Sequence, residues 1–162
     1  MSFDNQSEST VVISRMPPKR ILLVEDSPDV AQILRDMLAE FGHEVETAPD
    51  GKEALARFKP GKYDLLITDY SMPKMNGVEL AEIIKRRAPK QPILMITAFA
   101  FTIAAYDGRP LPVDAILRKP FHPKEFRDIL TTMFPAKPVG TGTKRFHKAE
   151  TKIHAPAVQS HA

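Results

Sequence analysis

Residues 21–48, ILLVEDSPDVAQILRDMLAEFGHEVETA, decide the fold. They open with an apolar strand over 21–25, then turn at Ser27-Pro28, where Ser is able to cap free amides and Pro suits the first helical turn. From there Val30, Ile33, Leu34, Met37, Leu38 and Phe41 recur at the 3.6-residue period of a helix with one inward face, and Gly42 closes it. HEVETA (43–48) then reads as a second strand. Strand, helix and strand within 28 residues form a parallel crossover unit.

The same alternation continues outward. YDLLIT (63–68), PILMIT (92–97) and VDAIL (113–117) are strand-like, and the runs at 21–25, 63–68 and 92–97 are nearly continuously apolar, as strands buried on both faces are. A second helix starts at Asp50 with Glu53 three residues on and stops at Pro60-Gly61; a third runs from Asn76 to about Arg87 with Leu80, Ile83 and Ile84 inward. The last follows Pro123, with Phe126, Ile129, Leu130 and Met133 on one face. Five strands interleaved with helices predict an α/β fold, a doubly wound parallel sheet with helices on both faces. The connection at 98–112, AFAFTIAAYDGRPLP, is unusual: a helix over 99–106 has almost no polar face, which fits either burial or an exposed apolar surface for a partner.

The 162 residues hold one domain of ordinary size, read as 19–135, with tails at 1–18 and 136–162. The chain has no Cys, which excludes a disulfide framework and a thiolate metal site. The N-terminal stretch MSFDNQSEST shows neither a signal peptide nor a membrane span, so the expected location is the cytoplasm. The net charge of +3 is no sign of nucleic-acid binding, because 19–135 balances at 17 basic against 17 acidic residues. The excess lies in 136–162, with five Lys/Arg and one Glu, a Pro-, Gly-, Thr- and His-rich segment expected to be a disordered basic tail. His147, His154 and His161 lie there at intervals of seven, which is not a usual metal-ligand spacing.

In open parallel sheets, ligands bind beyond the carboxyl ends of the strands. Those ends carry Glu25 and Asp26, Asp69, Thr97, and Lys119 followed by Pro120. Carboxylates gathered in one crevice repel: two unit charges about 4 Å apart cost on the order of 4 kcal/mol at an effective dielectric near 20. A hard divalent cation such as Mg²⁺ offsets that repulsion through oxygen ligands, while a lysine supplies a mobile point charge for a phosphoryl oxygen and Thr97 a hydroxyl. Nucleophilic carboxylate, metal, ammonium and hydroxyl together describe in-line phosphoryl transfer, with an acyl phosphate on Asp69 as product.

VEDSPD (24–29), TDYSMPKMNG (68–77), ITA (96–98) and RKPF (118–121) resemble the four motifs of the response-regulator receiver family, over about 19–135. The spacings of 43 from Asp26 to Asp69, 28 to Thr97 and 22 to Lys119 are close to that family's. The resemblance implies a flavodoxin-like sheet of order 2-1-3-4-5, phosphorylation on Asp69, and Mg²⁺ (or Mn²⁺) held by Asp26, Asp69 and the Ser71 backbone carbonyl, with Glu25 helping through water. It further implies that Thr97 and Lys119 bind the phosphoryl group, that the Lys119–Pro120 peptide is cis, and that Met72-Pro73 and Gly77 form the loop and helix start after the acceptor. One departure is Ile116, where the family usually has Tyr or Phe, so aromatic switching in its usual form is not expected. Another is Phe99, a bulky apolar group two residues beyond Thr97, expected to shield the acyl phosphate and tune its lifetime.

The resemblance implies a signalling switch of a two-component or phosphorelay system, catalysing only its own phosphorylation and dephosphorylation. A haloacid dehalogenase-like phosphatase needs a second acid two residues past its nucleophile, and Ser71 stands there. A phosphorylation-independent pseudo-receiver, acting as a protein interaction module, is the alternative that Ile116 suggests; the intact acidic and lysine set opposes it. The implied partners are a histidine kinase or histidine phosphotransfer protein. Downstream come a protein target or a second copy, met through the face of the fourth helix, fifth strand and fifth helix. Residues 136–162 are too few and too polar for a DNA-binding domain, so no direct DNA contact is expected.

Overall fold

The computed structural model describes residues 16–98 and 110–135. Five parallel strands, β1 (Arg20–Val24), β2 (Glu44–Ala48), β3 (Leu65–Asp69), β4 (Ile93–Thr97) and β5 (Ala115–Arg118), form one sheet in the order β2-β1-β3-β4-β5. This agrees with the expected flavodoxin-like order. The described helices are α1 (Pro28–Glu40), α2 (Gly51–Arg57), α3 (Gly77–Arg87) and α4 (Pro123–Met133). The last of these is the fifth helix counted along the sequence; the helix expected over 99–106, residues 1–15 of the first tail and the tail at 136–162 lie outside the described residues.

Alternation along the strands sorts the core into two layers. Leu22, Val24, Leu66 and Ile93 point to one face and pack with Ala54 and Phe58 of the α2 segment and Leu80, Ala81 and Ile84 of α3. Ile21, Leu23, Leu65, Ile67, Leu94 and Ile96 point to the other and meet Leu34 and Leu38 of α1 and Phe126 and Leu130 of α4. Continuous apolar runs in β1, β3 and β4 are thus explained by helices on both sides.

Local details differ from the sequence reading in instructive ways. Ser27 occupies the N-cap of α1 but makes no side-chain cap; its N–H instead donates to Glu25 Oε1 at 3.3 Å. Ile33, assigned to the inward stripe of α1, is 59% exposed, because that stripe is wider than the surface the sheet offers and its margin faces solvent. Helix α2 ends at Arg57, short of Pro60-Gly61. Its Asp50 cap accepts from Glu53 N–H at 2.8 Å, while the Glu53 carboxylate turns to Arg57 at 2.9 Å instead of closing a capping box. A full capping box does form at Asn76 and Glu79, fixing the start of α3 directly after the loop that leaves Asp69.

Candidate functional site

The parallel register brings the ends of β1, β3 and β4 together: Val24 pairs with Thr68, Asp69 with Ile96, and Thr97 with Arg118. The first residues past β1, the last of β3 and β4, and the first past β5 therefore share one edge. There Glu25, Asp26 and Asp69 each offer a carboxylate oxygen, and these oxygens lie within 4.8 Å of one another. Lys119 Nζ sits 3.2 Å from Glu25 Oε2 and 3.2 Å from Asp69 Oδ2. Its own N–H donates to the Thr97 carbonyl at 2.9 Å, which ties the lysine to the end of β4, and the Lys119–Pro120 peptide is cis.

Exposure grades across the trio. Glu25 is buried, Asp69 half-buried and Asp26 exposed, so approach is from the Asp26 side. Burial pushes the Glu25 carboxyl above its ordinary value, more than the neighbouring Lys119 ammonium pulls it down. For Lys119 burial acts to lower the value, yet the charges of Asp69 and Glu25 outweigh it and hold the ammonium above its ordinary value. One shared lysine against three carboxylates leaves the crevice short of positive charge. An all-oxygen donor set of this spacing suits a hard cation: octahedral ligands at about 2.1 Å stand roughly 3 to 4 Å apart, a small closing from what is found.

The loop after Asp69 is held by a close backbone approach. Gly77 N–H donates to the Tyr70 carbonyl at 2.9 Å, and a Cβ on Gly77 would fall 2.2 Å from the Asp69 carbonyl oxygen. Only glycine admits that approach. Ser71 N–H reaches Asp69 Oδ1 at 3.4 Å, and Lys74 takes a left-handed φ of 69°. Thr97 is fully buried at the end of β4, and Met72 is buried. Ile116 on β5 is 38% exposed. Phe99, expected to shield the site, lies outside the described residues.

Two features escaped the sequence. Glu25 pairs with Lys119, 94 positions away, an ion pair that no local pattern announces. A cleft of about 230 Å³ opens beside Glu25 and Asp26, between α1 and the turn after β2. The larger cavity, about 560 Å³, sits at the opposite end of the sheet around Lys19, Pro92 and Phe134, remote from these side chains. Among the described residues no helix is long and apolar enough to cross a membrane.

Comparison with known proteins agrees with this geometry. Residues 21–131 match the family model of the response regulator receiver domain. The alkaline phosphatase synthesis transcriptional regulatory protein PhoP of Bacillus subtilis is 36% identical over 107 residues, 66% of this chain and 45% of that protein. The chain thus spans less than half the length of such curated relatives. Among solved structures, chemotaxis protein CheY4 of Vibrio cholerae superposes with a TM-score of 0.63 at 33% identity, covering 70% of this chain and 96% of that one. Response regulator protein TrrA of Thermotoga maritima, in complex with Mg²⁺–BeF, gives 0.65 at 33% identity over 71% and 98%. The chain belongs to the response regulator receiver domain family.

Proposed function

We propose that this chain accepts a phosphoryl group on Asp69 in a Mg²⁺-dependent reaction and signals through protein contacts. The observation that carries the reading is the convergence of three carboxylates within 4.8 Å, two of them 3.2 Å from one lysine, at the strand edge where open parallel sheets bind ligands. Asp26 and Asp69, with the Ser71 carbonyl, are the groups to hold the cation, and Glu25 assists through water. A bound Mg²⁺ supplies neutralisation of the carboxylates and of the incoming phosphoryl oxygens.

The protein's own groups do the rest. The half-buried Asp69 presents its carboxylate as nucleophile. Lys119 already bonds an Asp69 oxygen and has an ammonium free to follow the phosphoryl group once that oxygen is esterified. Thr97, at the adjoining strand end, donates its hydroxyl to the same group. The adduct carries close to two negative charges where the free carboxylate carried one, in a crevice already short of positive charge around its one lysine, which is the force that reshapes the adjoining loops. Ser71 stands where a phosphatase would keep a second acid, so the chain turns over only its own phosphoryl group. The phosphodonor is a histidine kinase or histidine phosphotransfer protein. Output passes to a protein target or a second copy through the face that includes β5 and α4, where Ile116 is exposed. The cytoplasm is the compartment that fits such partners.

Incubation with acetyl phosphate and Mg²⁺ tests this. A single phosphoryl addition by intact mass, lost with EDTA and in Asp69→Asn, is the expected result. No addition from acetyl phosphate or from any histidine-phosphorylated donor refutes the reading and favours a phosphorylation-independent interaction module.

A further inference from the structure

The cleft beside the acidic trio has a chemistry of its own. One wall is a face of α1, with Pro28, Ala31 and Arg35 at the spacing of residues that stack along a helix; the other includes Thr47, and Glu25 and Asp26 close one end. Ala31 is small enough to leave the roughly 230 Å³ open, room for a few non-hydrogen atoms beyond the phosphoryl site. Glu25 and Asp26 line the cleft and Asp69 does not, so it adjoins the crevice on the side of those two carboxylates. In an in-line transfer the leaving group departs on the side away from the nucleophile.

Arg35 is the cation of this cleft. Side chains of an α-helix lean toward its N-terminus, so a residue two turns into α1 reaches back toward the Asp26 end. Arg57, whose guanidinium comes to the Thr47 wall, is occupied: it bonds Glu53 and the Thr47 carbonyl. Arg35 has no hydrogen-bond or ion-pair partner among the described residues. An unpaired guanidinium on the wall of a cleft that shares Glu25 and Asp26 with a phosphoryl site is a receptor for an oxyanion.

We propose that this cleft is the leaving-group subsite for small acyl phosphates, with Arg35 binding the carboxylate that departs; the proposal rests on phosphoryl acceptance by Asp69. In that step an Asp69 oxygen bonds to phosphorus while the bond from phosphorus to the bridging oxygen breaks. The electron pair leaves with the bridging oxygen, which becomes part of a carboxylate, so negative charge grows where Arg35 stands. With phosphoramidate protonated on nitrogen, the phosphorus–nitrogen bond breaks and ammonia leaves with the electron pair, so no anion forms. A phosphohistidine donor protonated on its other ring nitrogen likewise releases a neutral imidazole. Arg35 thus sets the response to small acyl phosphates separately from the response to a protein donor.

The test compares wild type with Arg35→Gln and Arg35→Lys, measuring phosphorylation rates against acetyl phosphate and against phosphoramidate under saturating Mg²⁺. Arg35 is exposed, and matching thermal unfolding curves establish that the variants fold alike. The expected result is a fall of about tenfold in the acetyl phosphate rate constant for Arg35→Gln, the scale of one solvent-shared charge-assisted hydrogen bond. Phosphoramidate rates stay within about twofold, and Arg35→Lys recovers part of the loss. Equal falls with both donors, or none with either, overturn the subsite while leaving phosphoryl acceptance standing. A wild type that takes phosphate from neither donor overturns both.

Discussion

Replacing Gly77 by Ala tests the close approach that positions Asp69. At the first position of α3, with a φ outside the left-handed region, alanine is ordinarily the better residue by up to about 1 kcal/mol. Here the added Cβ would lie 2.2 Å from the Asp69 carbonyl oxygen, 3.0 Å from its carbon and 3.1 Å from Tyr70 Cα. Relief requires a separation of roughly 1 Å, since non-bonded heavy atoms settle near 3.5 Å. Neither side yields freely: Asp69 is paired with Ile96 in the sheet, and the helix start is locked by the Asn76–Glu79 box. Overpacking of this kind costs about 1 to 3 kcal/mol, which the helix gain offsets only in part, so the net loss is about 1 kcal/mol. In urea unfolding, with a slope of about 1.5 kcal/mol/M, the midpoint falls by roughly 0.7 M. Phosphoryl acceptance falls further than this loss of stability explains, because the Asp69 backbone itself is displaced. A midpoint equal to or above that of wild type refutes the steric reasoning.

Removing the shared cation with Lys119→Ala leaves the buried Glu25 and the half-buried Asp69 without their ammonium. The lysine side chain is 26% exposed, so the cost is about 2 kcal/mol, below that of a fully buried pair; Mg²⁺ raises the urea midpoint of the variant more than that of wild type. His43 is buried, its Nδ1 accepts the Lys19 N–H at 3.3 Å, and burial followed by the Lys19 charge lowers its pKa below the ordinary 6.5. The unfolded state then binds the extra proton first, so its stabilising contribution is complete above about pH 6.5 and is lost as pH falls through the lower folded value. The expected result is a urea midpoint that falls as the pH is lowered below about 6.5, and that His43→Asn flattens. Phe126, fully buried between the rings of Phe41 and Phe121, loses about 3 to 5 kcal/mol as Phe126→Ala by the same assay.

The layered sheet was legible because β1, β3 and β4 are apolar on both faces, and period-2 and period-3.6 patterns rarely alternate so regularly by chance. β5 was placed two residues early at its start, since VDAIL and the observed Ala115–Arg118 differ only in which end of a short edge segment finds its partner. Ile33 misled because hydropathy records what a residue prefers, not how wide a groove the sheet leaves for it. At the site, Glu25, Asp26, Asp69, Thr97 and Lys119 announced themselves as chemically capable side chains at strand ends. Their pairings did not: Glu25–Lys119 spans 94 positions, and the reason for Gly77 is a carbonyl eight residues before it in another element. Such contacts follow from the register of the strands and become visible only once the sheet is assembled.

The most direct test of the central claim is to find where the phosphoryl group sits. Phosphorylated protein is reduced with borohydride, which converts an aspartyl phosphate to homoserine, then digested and sequenced by mass spectrometry. Homoserine at position 69 alone is the result this account requires. Homoserine at Asp26 or at any other carboxylate, or a phosphoryl group on a hydroxyl that survives reduction, contradicts it.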